Sequence, residues 1–203
     1  NGVEESFRFA LFEAISILTT TGFSVTNFLQ WPCYVWCLLF LISFICGCSG
    51  STTGGIKVFR HIIMFKNCRT ELSRQIHPQA VIPVRYNNNI VSQNAIGNIL
   101  AFFYFFTLMF LLGAVSLMLL GSNFTDAMGA IICCLSNIGS GIGDIAGFGD
   151  GTLTLHPLSK WIMGFLMIIG RLELFTVLVL FNKSFWKKIK HERRKRLVDN
   201  SKS

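Results

Sequence analysis

Long apolar runs dominate the chain, and polar stretches that contain glycine interrupt them. Three runs come close to the roughly 20 residues that cross a bilayer: residues 31–46, resuming after a polar break up to residue 65, residues 95–121, and residues 158–181. Two shorter apolar stretches, residues 7–18 and 124–135, each precede a glycine-bearing polar stretch. Their length is typical of a re-entrant half-helix or a core helix. The pattern predicts an all-α integral membrane protein.

The order of these segments repeats along the chain. Residues 7–65 and residues 124–181 each comprise a short apolar helix, a polar glycine stretch and a span. Aligning TTTGF with SNIGS matches Gly22 to Gly139. A long span precedes the second unit, and the first unit should have one as well. Because the chain also starts NGVEESFRF, without an initiator methionine, we expect it to begin partway through a longer protein.

Composition and charge agree with a membrane location and orient the chain. Hydrophobic residues make up 52% of the 203 residues and charged residues 14%. The cations concentrate between the first two spans and in the tail from residue 183, whereas residues 121–156 contain no lysine or arginine. The positive-inside rule places residues 66–94 and the tail in the cytoplasm and residues 121–156 outside. The basic tail suits anionic lipid headgroups better than nucleic acid, and no nucleic-acid partner is expected.

Motifs of enzymes and cofactor sites are absent or incomplete in the sequence. The seven cysteines include no pair of CxxC units, and the four histidines are dispersed, which favours structural cysteines over metal ligands. GSTTGGIK lacks the GK[ST] ending of a phosphate-binding loop, and GIGDIA lacks the strand of a dinucleotide site. No paired-carboxylate site or nucleophile triad is present, so we expect neither an enzyme nor a bound cofactor.

The two polar stretches after the short helices have the chemistry of a cation-coordinating loop. Lipid tolerates irregular backbone only where it lines a watery or protein-enclosed cavity. Backbone carbonyls there can replace the hydration shell of a potassium ion. Glycine permits the backbone angles that alternating inward carbonyls require, and the negative end of the helix dipole favours a cation.

Three motifs resemble the Trk/Ktr potassium transporter family of the TrkH type: TTTGFS, CSGSTTGGIKVFR and GRLELFTVLVLF. The resemblance implies potassium-channel-like pore-loop repeats, four around one axis, with potassium as the transported substrate. Residues 1–65 would be the end of the third unit, 66–94 a cytoplasmic linker, 95–182 the fourth unit and 183–203 the cytoplasmic tail. One loop of each kind makes half a filter, so we do not expect this chain alone to form a pore.

The resemblance also assigns a filter. Its potassium-binding residues would be Thr20, Thr21, Gly22 and Phe23 in the first loop and Asn137, Ile138, Gly139 and Ser140 in the second. The family's last loop commonly has a proline after the glycine, where this chain has Ser140.

A polar break inside the first span is the second functional feature. The resemblance implies an intramembrane gating loop under the filter, comprising Gly47, Ser49, Gly50, Ser51, Thr52, Thr53, Gly54 and Gly55. A simple helix kink is the alternative. Arg171, in the middle of the last span, is costly in lipid and would face the ion path and this loop. The alternative is a structural ion pair, although Glu173 lies two residues away and points to another helix face.

The cytoplasmic linker contains AVIPVRYNNNIVS, which predicts a small hairpin. The resemblance implies a homodimer in the cell inner membrane and a cytosolic nucleotide-binding regulatory partner of the TrkA or KtrA kind, and a plain connector is the alternative role of the hairpin. The rival function is a membrane-embedded carrier or enzyme that uses Asp144, Asp150 and Arg171.

Overall fold

Helices dominate the computed structural model, which describes residues 2–25, 31–77, 82–87, 89–139 and 155–172. In chain order the described elements are α1 (Val3–Leu18), α2 (Cys33–Ile42), α3 (Val58–Ile76), β1 (Arg85–Tyr86), β2 (Asn89–Ile90), α4 (Gln93–Leu119), α5 (Phe124–Ser136) and α6 (Pro157–Arg171). Ser140, Asp144, Asp150, Glu173 and the basic tail lie outside the described residues.

The long helix α4 corresponds to the predicted second span. Within the described ranges it is the one helix both long and apolar enough to cross a membrane, with a mean hydropathy of 2.2 over its best window. The Ser92 hydroxyl accepts a hydrogen bond from the Ala95 backbone N–H at 3.3 Å, which satisfies one of the free donors at the helix start. The helix contains no proline and, from Ile99 on, is mostly apolar up to its end at Leu119.

The short helix α5 lies at the centre of the main hydrophobic core. Every residue from Asp126 to Ser136 except Met128 is buried, although the helix has only 13 residues. It packs against α4 on one side and α6 on the other. Phenylalanine rings of α4 contribute further to this core, and the Phe106 ring lies 6.3 Å from that of Phe44. Helix α5, which is too short to span a membrane, is therefore surrounded by other helices.

The first predicted span is interrupted where the polar break was expected. Helix α2 ends at Ile42 and α3 begins at Val58, so α2 is a half-length helix of 10 residues. The sequence placed a boundary between residues 65 and 66, but α3 continues to Ile76. The residues KNCRTELSRQI contain no glycine or proline, and Pro78 follows them. The backbone hydrogen bonds of a helix form in water as well as in lipid, so the helix does not have to end where the apolar run ends.

A small antiparallel sheet occupies the linker, in the stretch where the sequence predicts a hairpin. Arg85 pairs with Ile90, and Tyr86 pairs with Asn89. The Lys66 ammonium of α3 donates to the Arg85 carbonyl at 3.0 Å, which attaches this sheet to the helix.

We predict that Gly113→Val lowers the thermal stability of the full-length protein that contains this chain. A Cβ at Gly113 would lie 2.8 Å from the Leu166 side chain and 3.1 Å from that of Ile131, so a branched side chain would push α4 away from α5 and α6. Overpacking of this kind costs about 1–3 kcal/mol, and the measurement is the melting temperature in detergent.

Gly97→Val is the matched control, because Gly97 lies on the same helix and a Cβ there has nothing within 4 Å. Equal melting temperatures for the two variants would contradict the close helix approach at Gly113.

Candidate functional site

The two short helices end in loops of the same backbone geometry. We call residues 19–25 the first loop and residues 137–139 the second loop. Thr20 and Asn137 are left-handed, with φ of 52° and 55°, and Gly22 and Gly139 have φ of 78° and 97°. The matching backbone hydrogen bonds agree in length as well, since Thr21 N–H donates to Ser16 and Ile138 N–H to Cys133, both at 3.0 Å.

A left-handed threonine is uncommon, because its branched side chain crowds the backbone there, at a cost of about 1–3 kcal/mol. At Thr20 local hydrogen bonds hold the turn: its N–H donates to the Ile17 carbonyl at 3.1 Å. The neighbouring Thr19 hydroxyl donates to the Ile15 carbonyl and lies 2.7 Å from the Thr21 hydroxyl. The left-handed turn occurs in both units, with a strained threonine in the first and an asparagine, which tolerates this conformation, in the second.

The two loops meet at their glycines. A Cβ built on Gly139 would lie 3.7 Å from the Cα of Gly22, although the residues are far apart in sequence. Of the first-loop residues, Phe23 directs its side chain outward, while its carbonyl accepts a 2.6 Å hydrogen bond from the Ser16 hydroxyl. Of the second-loop residues, Ile138 is buried. The fold thus brings the loop with Thr20, Thr21, Gly22 and Phe23 to the loop with Asn137, Ile138 and Gly139 through the two glycines, while Ser140 lies outside the described residues.

The polar loop, residues 47–55, is closed at its base by backbone pairing. The Cys46 N–H donates to the Ile56 carbonyl at 3.0 Å, and the Val58 N–H donates to the Cys46 carbonyl at 3.2 Å. Inside the loop the Ser51 hydroxyl lies 2.6 Å from that of Thr53. The break is therefore a compact loop with its own hydrogen bonds, and the simple helix kink considered from the sequence does not describe it.

The polar loop packs directly beneath the end of α5. The Ser136 hydroxyl donates to the Ser43 carbonyl at 3.0 Å, just before the loop begins. A Cβ at Gly54 would lie 2.7 Å from the Ser136 carbonyl oxygen, and one at Gly55 would lie 2.6 Å from the sulfur of Cys46. Glycine is required at both positions because other backbone and side-chain atoms occupy the space of a side chain.

Two cations contact carbonyls of the polar loop. The Arg171 guanidinium at the end of α6 donates to the Thr52 carbonyl. The Lys57 side chain is buried, and its ammonium lies 3.5 Å from the Ser49 carbonyl. Arg171 thus reaches the polar loop from the end of α6.

Three residues of this region were not expected from the sequence: Glu13, Ser16 and Lys57. Glu13 and Ser16 are polar residues three apart in the otherwise apolar second half of α1, and both are buried. Lys57 lies two residues after Gly55, the last glycine of the polar loop. In each case the available signal was a polar side chain in a segment otherwise expected to lie in lipid.

Known proteins are similar to this chain over most of its length. The solved potassium transporter TrkH from Vibrio parahaemolyticus superposes with a TM-score of 0.82 at 36% identity, covering 92% of this chain and 39% of that one. A Trk system potassium uptake protein TrkH from Halomonas elongata is 42% identical over 91% of this chain and 38% of its own length. The one from Escherichia coli K12 is 35% identical over 88% of this chain and 36% of its own length.

The helical fold and its facing loops therefore define a part of a membrane transport protein. The chain belongs to the TrkH family of cation transport proteins, whose family model matches residues 2–188. This confirms the family resemblance and the helical membrane fold predicted from the sequence. The chain spans less than two fifths of the length of these relatives.

We predict that Gly170→Ala destabilises the protein. The Leu135 carbonyl oxygen occupies the space that a Cβ on Gly170 would need, so α6 would have to move away from the end of α5. The same change at Gly164 meets nothing within 4 Å and removes backbone freedom from a helix, which by itself stabilises by about 0.5–1 kcal/mol. Melting temperatures of the two variants in the full-length protein should therefore change in opposite directions, and a stabilised Gly170→Ala variant would contradict the contact.

Proposed function

We propose that this chain supplies part of a potassium pathway across the cell inner membrane, with its first and second loops as two segments of a carbonyl-lined selectivity filter. The observation that supports this most directly is the repeated left-handed geometry at Thr20, Gly22, Asn137 and Gly139, with the two glycines facing each other. The curated relatives named above are potassium uptake proteins, which agrees with potassium as the substrate.

The chemistry of ion binding follows from the backbone. Potassium entering the pathway sheds water, and the carbonyls of Thr20, Thr21 and Gly22, with those of residues 137–140, take its place. The Phe23 carbonyl already accepts a hydrogen bond from Ser16. We therefore assign Phe23 to the outer end of the filter segment, where it contributes to holding the loop.

The polar loop acts as the gate in this proposal. It contacts the end of α5 and receives the Arg171 side chain from α6, so a displacement of the loop would involve both helices. The positive charges of Arg171 and Lys57 beside the loop raise the electrostatic barrier to a cation. Ions would pass when the loop moves and would enter the cytosol down the electrochemical gradient.

The assembly around the chain follows from the same family membership. We propose that further pore-loop units, from the rest of the protein, complete the filter around one axis, and that the protein is a homodimer. A cytosolic nucleotide-binding partner of the TrkA or KtrA kind would dock at the linker. The small sheet held to α3 by Lys66 offers a rigid contact surface there.

Potassium uptake is tested by expressing the full-length protein in cells that lack potassium uptake. We expect growth to be restored at low external potassium. Failure to restore growth, with the protein present in the membrane, would contradict the proposed substrate.

We predict that Gly22→Ser reduces selectivity for potassium over sodium. Gly22 has a φ of 78°, where a side chain costs about 1–2 kcal/mol, so serine would shift the carbonyls of the first loop. The measurement is the ratio of rubidium to sodium influx.

Gly121→Ser is the matched control, because Gly121 has a φ of 94° and lies after α4, away from the two loops. It carries the same backbone penalty without touching the filter. An unchanged flux ratio in Gly22→Ser would overturn the filter assignment.

We predict that Arg171→Ala increases potassium influx, because it removes a positive charge and the hydrogen bond that holds Thr52. Initial rates of rubidium uptake measure the change. Lys160→Ala removes a cation from the first turn of the same helix and should leave the rate near wild type. An Arg171→Ala rate at or below that of the control would argue against the gating role.

A further inference from the structure

Glu13 is a buried acid on the helix that precedes the first loop. Its exposed fraction is 0%, although nearby residues of α1 such as Leu11, Phe12 and Ile15 are apolar. A carboxyl group in such surroundings is costly unless it is hydrogen-bonded. The contacts of Glu13 therefore show what this position does in the fold.

The Glu13 carboxylate binds the outer end of the first loop. One of its oxygens, Oε1, accepts a hydrogen bond from the Ser24 hydroxyl at 3.0 Å and another from the Val25 backbone N–H at 2.9 Å. One turn further along the helix, the Ser16 hydroxyl donates to the Phe23 carbonyl at 2.6 Å. Three consecutive loop residues are thus attached to one face of α1.

These bonds complete the attachment of Gly22 to its helix. On the inner side the Thr21 N–H donates to the Ser16 carbonyl at 3.0 Å. On the outer side the bonds to Glu13 and Ser16 hold the loop against α1. Because Gly22 faces Gly139 across the site, the distance between the two loops depends on this outer attachment.

The second loop is held differently. When Gly22 is aligned with Gly139, Glu13 aligns with Ala130 and Ser16 with Cys133. Ala130 is buried and has no polar side-chain atom. The Asn137 amide instead donates to the Met167 carbonyl of α6 at 3.2 Å. The carboxylate attachment is therefore a property of the first loop within the described units.

We infer that Glu13 is a positioning residue for ion selectivity: its side-chain oxygen holds residues 24–25 and thereby sets the position of the Gly22 carbonyl. The inference rests on the proposed potassium pathway. It requires an acceptor oxygen at position 13, because Oε1 receives the hydrogen bonds from Ser24 and Val25.

The test compares Glu13→Gln with Glu13→Leu in the full-length protein. Glutamine keeps an acceptor oxygen for Ser24 and Val25, so its rubidium-to-sodium influx ratio should stay within about twofold of wild type. Leucine is similar in size and has no acceptor, and the loss of two hydrogen bonds should lower the ratio by about fivefold or more. Glu4→Leu, which removes an exposed acid from the first turn of the same helix, is the control and should leave the ratio unchanged.

A second variant keeps the inference testable if Glu13→Leu does not fold. Ser24→Ala removes one of the two donors and should lower the ratio by a smaller factor of about two to five. In the Glu13→Gln background, Ser24→Ala should lower the ratio by the same factor, because glutamine keeps the acceptor oxygen that Ser24 and Val25 use. An unchanged ratio in Ser24→Ala would contradict the inference.

Two outcomes would overturn the inference while leaving the potassium pathway intact. One is a wild-type rubidium-to-sodium influx ratio in a folded Glu13→Leu variant. The other is a decrease of this ratio in Glu13→Gln as large as in Glu13→Leu. Absence of rubidium uptake by the wild-type protein would instead overturn the pathway and the inference with it. These two failures are distinguished by the wild-type measurement alone.

Discussion

Polar backbone groups inside a membrane must find hydrogen-bond partners within the protein, and the arrangement of this chain follows from that requirement. Helix α5 ends in the middle of the fold, where N–H groups of the second loop bond two of its last carbonyls. The polar loop packs beneath this end through Gly54, and α6 approaches it so closely that only glycine fits at position 170. The Ser136 hydroxyl adds a bond to the Ser43 carbonyl.

The same requirement connects the proposed filter with the proposed gate. The second loop begins at Asn137, one residue after the serine that contacts the start of the polar loop. Arg171 reaches the Thr52 carbonyl from the end of α6, the helix that receives the Asn137 side chain. Hydrogen bonds through the end of α5 and through α6 therefore join the second loop to the polar-loop region.

The two loops have one backbone geometry and different supports. The left-handed turns at Thr20 and Asn137 repeat closely, whereas the surrounding side chains do not. Glu13 and Ser16 hold the first loop from its own helix, and Asn137 bonds the second loop to a different helix. Backbone geometry is set by ion coordination in our proposal, while the supporting contacts depend only on which neighbours are available.

The sequence by itself determined the helical membrane class, the family and the break in the first span, because each depends on residues that are adjacent in the sequence. Apolar length indicated the spans, and the glycine motifs indicated the loops that follow α1 and α5. The sequence could not place the end of α3, since a helix bonds its own backbone on both sides of the membrane surface. Only the tertiary structure brought Gly22 to Gly139 and gave Glu13 and Lys57 their partners. These contacts join residues whose spacing in the sequence matches neither a helix nor a strand period.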